Sequence, residues 1–255
     1  MKEKCIYEIE SLYRDSFKIR SFEFGQGEQT LCIVGSLRGN EVQQMYICSL
    51  IIETLKQLEI ENYINEGYKI IIVPCANPYS MNQECRFWPS DGTDINSMFP
   101  GYDAGETTQR IADGLFNKIN QCTFGIQLTS FYIPGQFSTH IRMMKTGLED
   151  IEEAKHFGLS SIVVRDPRPY DTTTLNYNWQ IWNCKAYSLY TRSCEQIDEK
   201  TAQEAKNAVL RFMFEKHMIS IKSKKAGILK LNVYVDEYVQ KIRHLPEFMI
   251  LIRIQ

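Results

Sequence analysis

The sequence predicts an α/β fold, a mixed and largely parallel sheet with helices on both faces. Strand-like and helix-like segments alternate from residue 18 to about 217, the order that builds crossover-connected parallel strands. Runs such as Leu31–Gly35 and Tyr68–Pro74 are continuously apolar, as strands buried on both faces are. Between them, Val42, Met45, Ile47, Leu50, Ile51, Leu55 and Leu58 recur at helical spacing within Asn40–Leu58.

The remaining elements follow in order. Phe17–Phe24 alternates apolar and polar residues and reads as an exposed or edge strand. After the Tyr68–Pro74 strand comes a long loop, Cys75–Gly105, rich in Asn, Pro, Ser, Asp and Gly; loops of this length in compact domains tend to carry function. Glu106–Asn120 reads as helix, Cys122–Leu128 as strand, Glu149–His156 as helix, and Ser161–Val164 and Ala186–Tyr190 as strands. Asp198–Phe214 is a helix that Asp198 is placed to cap. After His217 the pattern changes. Lys222–Lys225 reads as a linker, and Gly227–Val239 and Phe248–Ile254 alternate like strands of a small β-unit. The expected division is an α/β domain at 1–221 and a short C-terminal β-region at 222–255.

At 255 residues, with 44% hydrophobic and 24% charged residues, the chain has the composition of a soluble globular protein. Its formal charge of −2 gives no footprint for nucleic acid or an anionic membrane. No apolar run nears the roughly 20 residues that cross a bilayer, and Met1–Glu8 is too charged for a signal peptide. Eight cysteines are scattered singly, with no Cys-x-x-Cys pair, which fits reduced buried thiols in a cytoplasmic protein.

Four segments end at the carboxyl ends of strands, where ligand sites form in such sheets. They are Gly35-Ser-Leu-Arg38-Gly-Asn-Glu41; Asn77-Pro78 through Arg86 to Asp94-Ile-Asn96-Ser97-Met-Phe-Pro-Gly101; Gly125-Ile-Gln127-Leu-Thr129-Ser130; and Ala186-Tyr-Ser-Leu-Tyr190-Thr-Arg192. In order and register they resemble motifs of the succinylglutamate desuccinylase/aspartoacylase family, which has the zinc carboxypeptidase fold. The resemblance runs from about Leu31 to Val239 and continues into Ala226–Val239, similar to the start of that family's C-terminal β-domain, here abbreviated.

The resemblance assigns roles that the residues at those positions contradict. Two zinc ligands would stand at 38 and 41 and the third at 129; the chain has Arg38, Glu41 and Thr129. A guanidinium stays protonated and repels a dication. Gln127 replaces a carboxylate that orients nearby groups. The general base would be a Glu at 190, where the chain has Tyr190, a phenol that stays protonated at neutral pH. An Arg that grips substrate carboxylate would follow Asn96, but the chain has Ser97, which removes a bidentate fork. Arg86, which in the family polarises the scissile carbonyl, is kept.

The expectation is therefore a degenerate member, a pseudoenzyme with a zinc-free pocket and no expected cofactor. Arg86, Asn96, Arg38 and Gln127 are its candidate ligand-binding residues, with Arg86 and Tyr190 vestigial catalytic positions and Arg38, Glu41 and Thr129 vestigial metal positions. It would act as a binding or regulatory partner of an active paralogue or of itself, with a small acylated amino acid or peptide as ligand. The alternative is a hydrolase of amide bonds in N-acyl amino acids or peptides that holds zinc unconventionally. Opposite charges three residues apart suggest that the Arg38 guanidinium occupies the metal position and pairs with Glu41. His140 is read as structural rather than as a compensating ligand, and Cys194 as an unactivated thiol. The aromatic run Tyr177–Trp182 is read as packing, and Arg165–Pro169 as a rigid surface loop.

Overall fold

Alternation of side chains along the strands sets up two hydrophobic cores, one on each face of an eight-stranded sheet. The structure, a computed structural model, describes residues 1–11, 15–131, 137–192 and 195–220. Strands β1 (Lys2–Ile9), β2 (Phe17–Gly25), β3 (Gln29–Val34), β4 (Tyr68–Val73), β5 (Phe124–Ser130), β6 (His140–Met144), β7 (Ile162–Arg165) and β8 (Lys185–Thr191) lie in the order β1-β2-β4-β3-β5-β8-β6-β7. The β3–β4, β3–β5, β5–β8 and β6–β7 pairings are parallel, and β1–β2, β2–β4 and β6–β8 are antiparallel.

Leu31, Ile33, Ile70, Ile72, Ile126, Leu128, Tyr187 and Leu189 face one way, against α1 (Val42–Ile60) and α6 (Glu199–Glu215). Cys32, Val34, Ile71, Val73 and Ala186 face the other way, against α3 (Thr107–Ile119) and α5 (Leu175–Ile181). Fully burying a side chain such as Ile33 stabilises the fold by about 1.5–3 kcal/mol, so the period-2 pattern fixes which face each strand presents. Two short helices, α2 (Pro78–Asn82) and α4 (Ile151–Ala154), complete the set. Asp198 caps α6 as expected: its carboxylate accepts from Lys200 N and from Thr201 Oγ1 at 2.6 Å.

Several elements differ from the sequence reading. Phe17–Gly25 is not the edge strand; β1 pairs outside it, and its charged alternation (Lys2, Glu3, Lys4) kept it from reading as a strand. The loop from Cys75 contains α2, started by Asn77, whose Oδ1 accepts from Ser80 N at 3.2 Å, and by Pro78 at the first helical position. Tyr177–Trp182 lies mostly in α5; Trp179 is fully buried, donating Nε1–H to the Ile119 carbonyl at 3.0 Å, while Trp182 is exposed.

Cys32, Cys48, Cys122 and Cys184 are buried free thiols, with burial pushing the Cys48 thiol well up. Cys194 and both expected strands of the C-terminal β-region lie outside the described residues. Among the described residues, no helix is long and apolar enough to cross a membrane.

Candidate functional site

The parallel strands β3, β4, β5 and β8 bring their carboxyl ends to one edge of the sheet, and the four motif segments meet there. The first turn leaves β3 through Ser36, a buried residue held at φ 46, in the left-handed region that side chains with a Cβ seldom occupy. The Ser36 hydroxyl offsets part of that strain by donating to the Glu41 carbonyl at 2.6 Å. Three residues on, Gly39 lets the loop from α2 cross closely. A Cβ there would sit 2.2 Å from the Cys85 carbonyl oxygen, and Gly39 N donates to the Arg86 carbonyl at 3.0 Å. The glycine of the turn thus locks the first motif to the second.

Arg38 turns inward. Its Nη1 is 3.4 Å from Glu41 Oε1, and its Nε and Nη2 each lie 2.9 Å from Asp94 Oδ2. Glu41 is 2% exposed; its Oε1 also accepts from Thr129 Oγ1 at 3.2 Å and its Oε2 from Arg38 N at 3.2 Å. Burial pushes the Glu41 carboxyl above the usual carboxylate range, with the Arg38 guanidinium pulling against it. For Arg38 itself burial disfavours the charge, but Glu41 and Asp94 outweigh it and hold the guanidinium protonated. The expected Arg38–Glu41 pair is present, and it is a triad with Asp94.

Asn96 and Gln127 also meet. Asn96 Oδ1 accepts from Gln127 Nε2 at 3.1 Å and from Leu175 N at 3.3 Å. Asp94 Oδ1 accepts from Asn96 N at 3.0 Å, so one carboxylate both fixes the Asn96 turn and grips Arg38. Arg86 is partly buried, its guanidinium 5.1 Å from the Phe87 ring centroid. Tyr190 stands beside Thr129 in the β5–β8 register. Arg165 is committed to Asp171, its Nη1 and Nη2 donating to the two carboxylate oxygens at 2.7 and 2.6 Å.

Asp94 is the site residue that the motif reading left without a role. Its signal is an acidic residue two positions before Asn96, inside the second motif segment. Sequence reading places no strand at β6, so it does not bring His140 and Arg142 to this sheet.

This arrangement does not fit zinc. Both Glu41 oxygens are engaged by Arg38 and Thr129, and a fixed guanidinium lies against the carboxylate that would ligate. Among the described residues, no cluster of three or more His, Cys, Asp or Glu side chains is placed to hold a metal ion. What the site can do is present hydrogen-bond donors and acceptors from a rigid, charge-compensated floor.

The strand order and the converging strand ends define a zinc-carboxypeptidase-like α/β fold. Residues 27–129 match the model of the succinylglutamate desuccinylase/aspartoacylase catalytic domain. Among solved structures, an aspartoacylase family protein from Mesorhizobium loti is 20% identical with TM-score 0.66, over 82% of this chain and 64% of that one. A succinylglutamate desuccinylase from a Silicibacter species is 16% identical with TM-score 0.70, over 85% and 66%. A metallo-carboxypeptidase from Burkholderia cenocepacia is 11% identical with TM-score 0.65, over 85% and 64%. These likenesses show the fold, and the chain spans just under two thirds of the length of these relatives. No curated protein matches it.

Proposed function

We propose that this chain is a pseudoenzyme of the succinylglutamate desuccinylase/aspartoacylase family that works by binding. It keeps a zinc-free, remodelled pocket and serves as a binding or regulatory partner of an active paralogue or of a second copy of itself. The observation that carries this is the Arg38 guanidinium seated between Glu41 and Asp94. Its positive charge stands where the family's dication would stand, and it neutralises the one carboxylate left of the ligand set. Placing a second cation there would add repulsion on top of the cost of dehydrating the ion. Tyr190 supports the same reading, because a phenol stands where the family's general-base carboxylate would activate water, while the Glu41 and Asp94 carboxylates are engaged by Arg38. Arg86, Asn96, Gln127 and Arg38 remain to recognise a small acylated amino acid or peptide. Free thiols at Cys5, Cys75 and Cys85 fit a reducing, cytoplasmic setting.

The test is elemental analysis of the full chain, purified without chelator, exposed to one equivalent of zinc and then exchanged into buffer. The expected result is a chain without stoichiometric zinc and without hydrolysis of N-acyl amino acids. One zinc per chain, with zinc-dependent amide hydrolysis, overturns the reading in favour of a hydrolase that holds its metal unconventionally.

A further inference from the structure

On the face of the sheet that carries Thr129 and Gln127, strands β8 and β6 continue a polar row. The antiparallel ladder sets His140 opposite Tyr190 and Arg142 opposite Ser188, so these four side chains share one face, while Ile141, Met143 and Leu189 face the core on the other. The His140 and Tyr190 rings stack with centroids 5.3 Å apart and planes 13° from parallel. The Arg142 guanidinium folds back over the same tyrosine, 4.1 Å from its ring centroid, and lies 5.3 Å from that of Phe131.

The arginines near the strand ends differ in their partners. Arg38 is held by Glu41 and Asp94, and Arg165 by Asp171. No ion pair with a described carboxylate involves Arg142, and its Nε is buried with no hydrogen-bond partner. His140 is 6% exposed, with Nδ1 2.9 Å from the Ser138 carbonyl. A ring nitrogen satisfies a carbonyl only as N–H, so the neutral imidazole keeps Nε2 as an acceptor, and burial favours that neutral form. Nε2 is likewise buried without a partner. A donor without an acceptor and an acceptor without a donor, two residues apart on one strand, are each costly to bury. One bound molecule with both complementary groups would satisfy them together.

We propose that Arg142, His140 and Tyr190 form a binding subsite for a carboxylic acid that carries a hydroxyl or amide N–H on the neighbouring carbon. Arg142 takes the carboxylate, His140 Nε2 accepts from the adjacent donor, and the Tyr190 ring is the floor. This rests on the binding reading above and gives it a ligand class. It also puts the carboxylate grip on β6, across β8 from Asn96 and Ser97, where the family's fork is missing.

The experiment is a titration of the full chain, labelled with 15N-arginine, with lactate, propionate and inorganic phosphate at constant ionic strength, following side-chain Nε–H resonances. Lactate is expected to shift, saturably, one resonance that is missing from R142Q. Propionate, which lacks the hydroxyl, should shift the same resonance with affinity weaker by about fivefold, the worth of one net hydrogen bond. H140F should bind the two acids equally. An Arg142 resonance that lactate leaves unmoved overturns the subsite, and so does one that responds to phosphate but to neither acid. Equal affinity of the unmodified chain for the two acids overturns the part given to His140. The readout is on the unmodified chain, so a misfolded variant does not blur it. Stoichiometric zinc would sink the pseudoenzyme reading whatever Arg142 does, whereas a silent Arg142 in a zinc-free chain sinks this subsite alone.

Discussion

Arg38 and Asp94, 56 positions apart in the chain, share a single carboxylate oxygen: Arg38 Nε and Nη2 both approach Asp94 Oδ2 at 2.9 Å. The contact ties the turn after β3 to the Asn96 turn, because the other oxygen of Asp94 accepts from Asn96 N. The Arg38–Glu41–Asp94 cluster is therefore a structural joint as well as a set of charge pairs, and its energetics can be tested separately from any ligand.

Replacing Arg38 by Met strands Glu41, which is 2% exposed. Breaking a buried pair from one side costs about 3–5 kcal/mol, so R38M should lose that much stability at neutral pH. Burial already raises the Glu41 carboxyl, and loss of the guanidinium raises it further. A carboxyl raised in the folded state stabilises when protonated, and that contribution is lost as pH rises through the raised value. R38M should therefore regain stability as pH falls from neutrality toward the ordinary glutamate value of about 4.3. Urea denaturation across that range should show the recovery in R38M, and R38M/E41Q should be largely free of both the loss and the pH dependence.

If substitution rather than fold removed the metal, restoring the donor set should restore uptake. R38H/T129H would place two imidazoles around Glu41 at the strand ends of β3 and β5, a three-ligand set with room for water. Elemental analysis should find one zinc in the folded double variant and none in the parent. A folded double variant that stays empty would mean that the strand ends no longer hold the ligand geometry.

Much of this was legible in the sequence because it depends on local pattern. The buried strands β3 and β4, the long helices α1, α3 and α6, and the Asp198 cap each follow from spacing within one segment. The Arg38–Glu41 pair was readable because the partners are three residues apart in a turn. Asp94 could not be assigned to Arg38 in the same way, since only the folded loop brings positions 38 and 94 together. Strand β6 escaped because His140-Ile-Arg-Met-Met lacks clean alternation, its outward row being the His140–Arg142 pair that Tyr190 covers. Helix α5 escaped because Asn178 and Gln180, polar by type, are buried there through bonds to backbone carbonyls of Thr172 and Met144.

Asp171 anchors the loop after β7. It is 3% exposed and accepts from both Arg165 nitrogens and from Arg168 N at 2.8 Å. Burial alone would raise its carboxyl, but the Arg165 bonds outweigh that and hold it below the usual range. Its stabilisation is present above the ordinary aspartate value of about 3.9 and fades as pH falls through the lower folded value. D171N should cost about 3 kcal/mol at neutral pH by stranding Arg165. In thermal melts the gap between D171N and the parent should close as the solution is acidified below that ordinary value; a gap that stays constant would show that the charge is not the source.

At Gly125, behind the site, strand β5 and helix α5 approach closely. A Cβ added there would lie 2.7 Å from the six-membered ring of Trp179. That ring cannot give way cheaply, because Trp179 is fully buried and its Nε1–H is fixed to the Ile119 carbonyl. G125A should therefore overpack this core and cost about 1–3 kcal/mol, although alanine in a strand interior is ordinarily an improvement on glycine. The clash is with the six-membered part of the indole, so the smaller ring in W179F should relieve it. The cost of G125A/W179F should fall below the sum of the single costs, as expected for residues in direct contact. Denaturant midpoints for the four proteins decide it: strictly additive losses would mean that α5 shifts as a body and that Trp179 is not the obstacle.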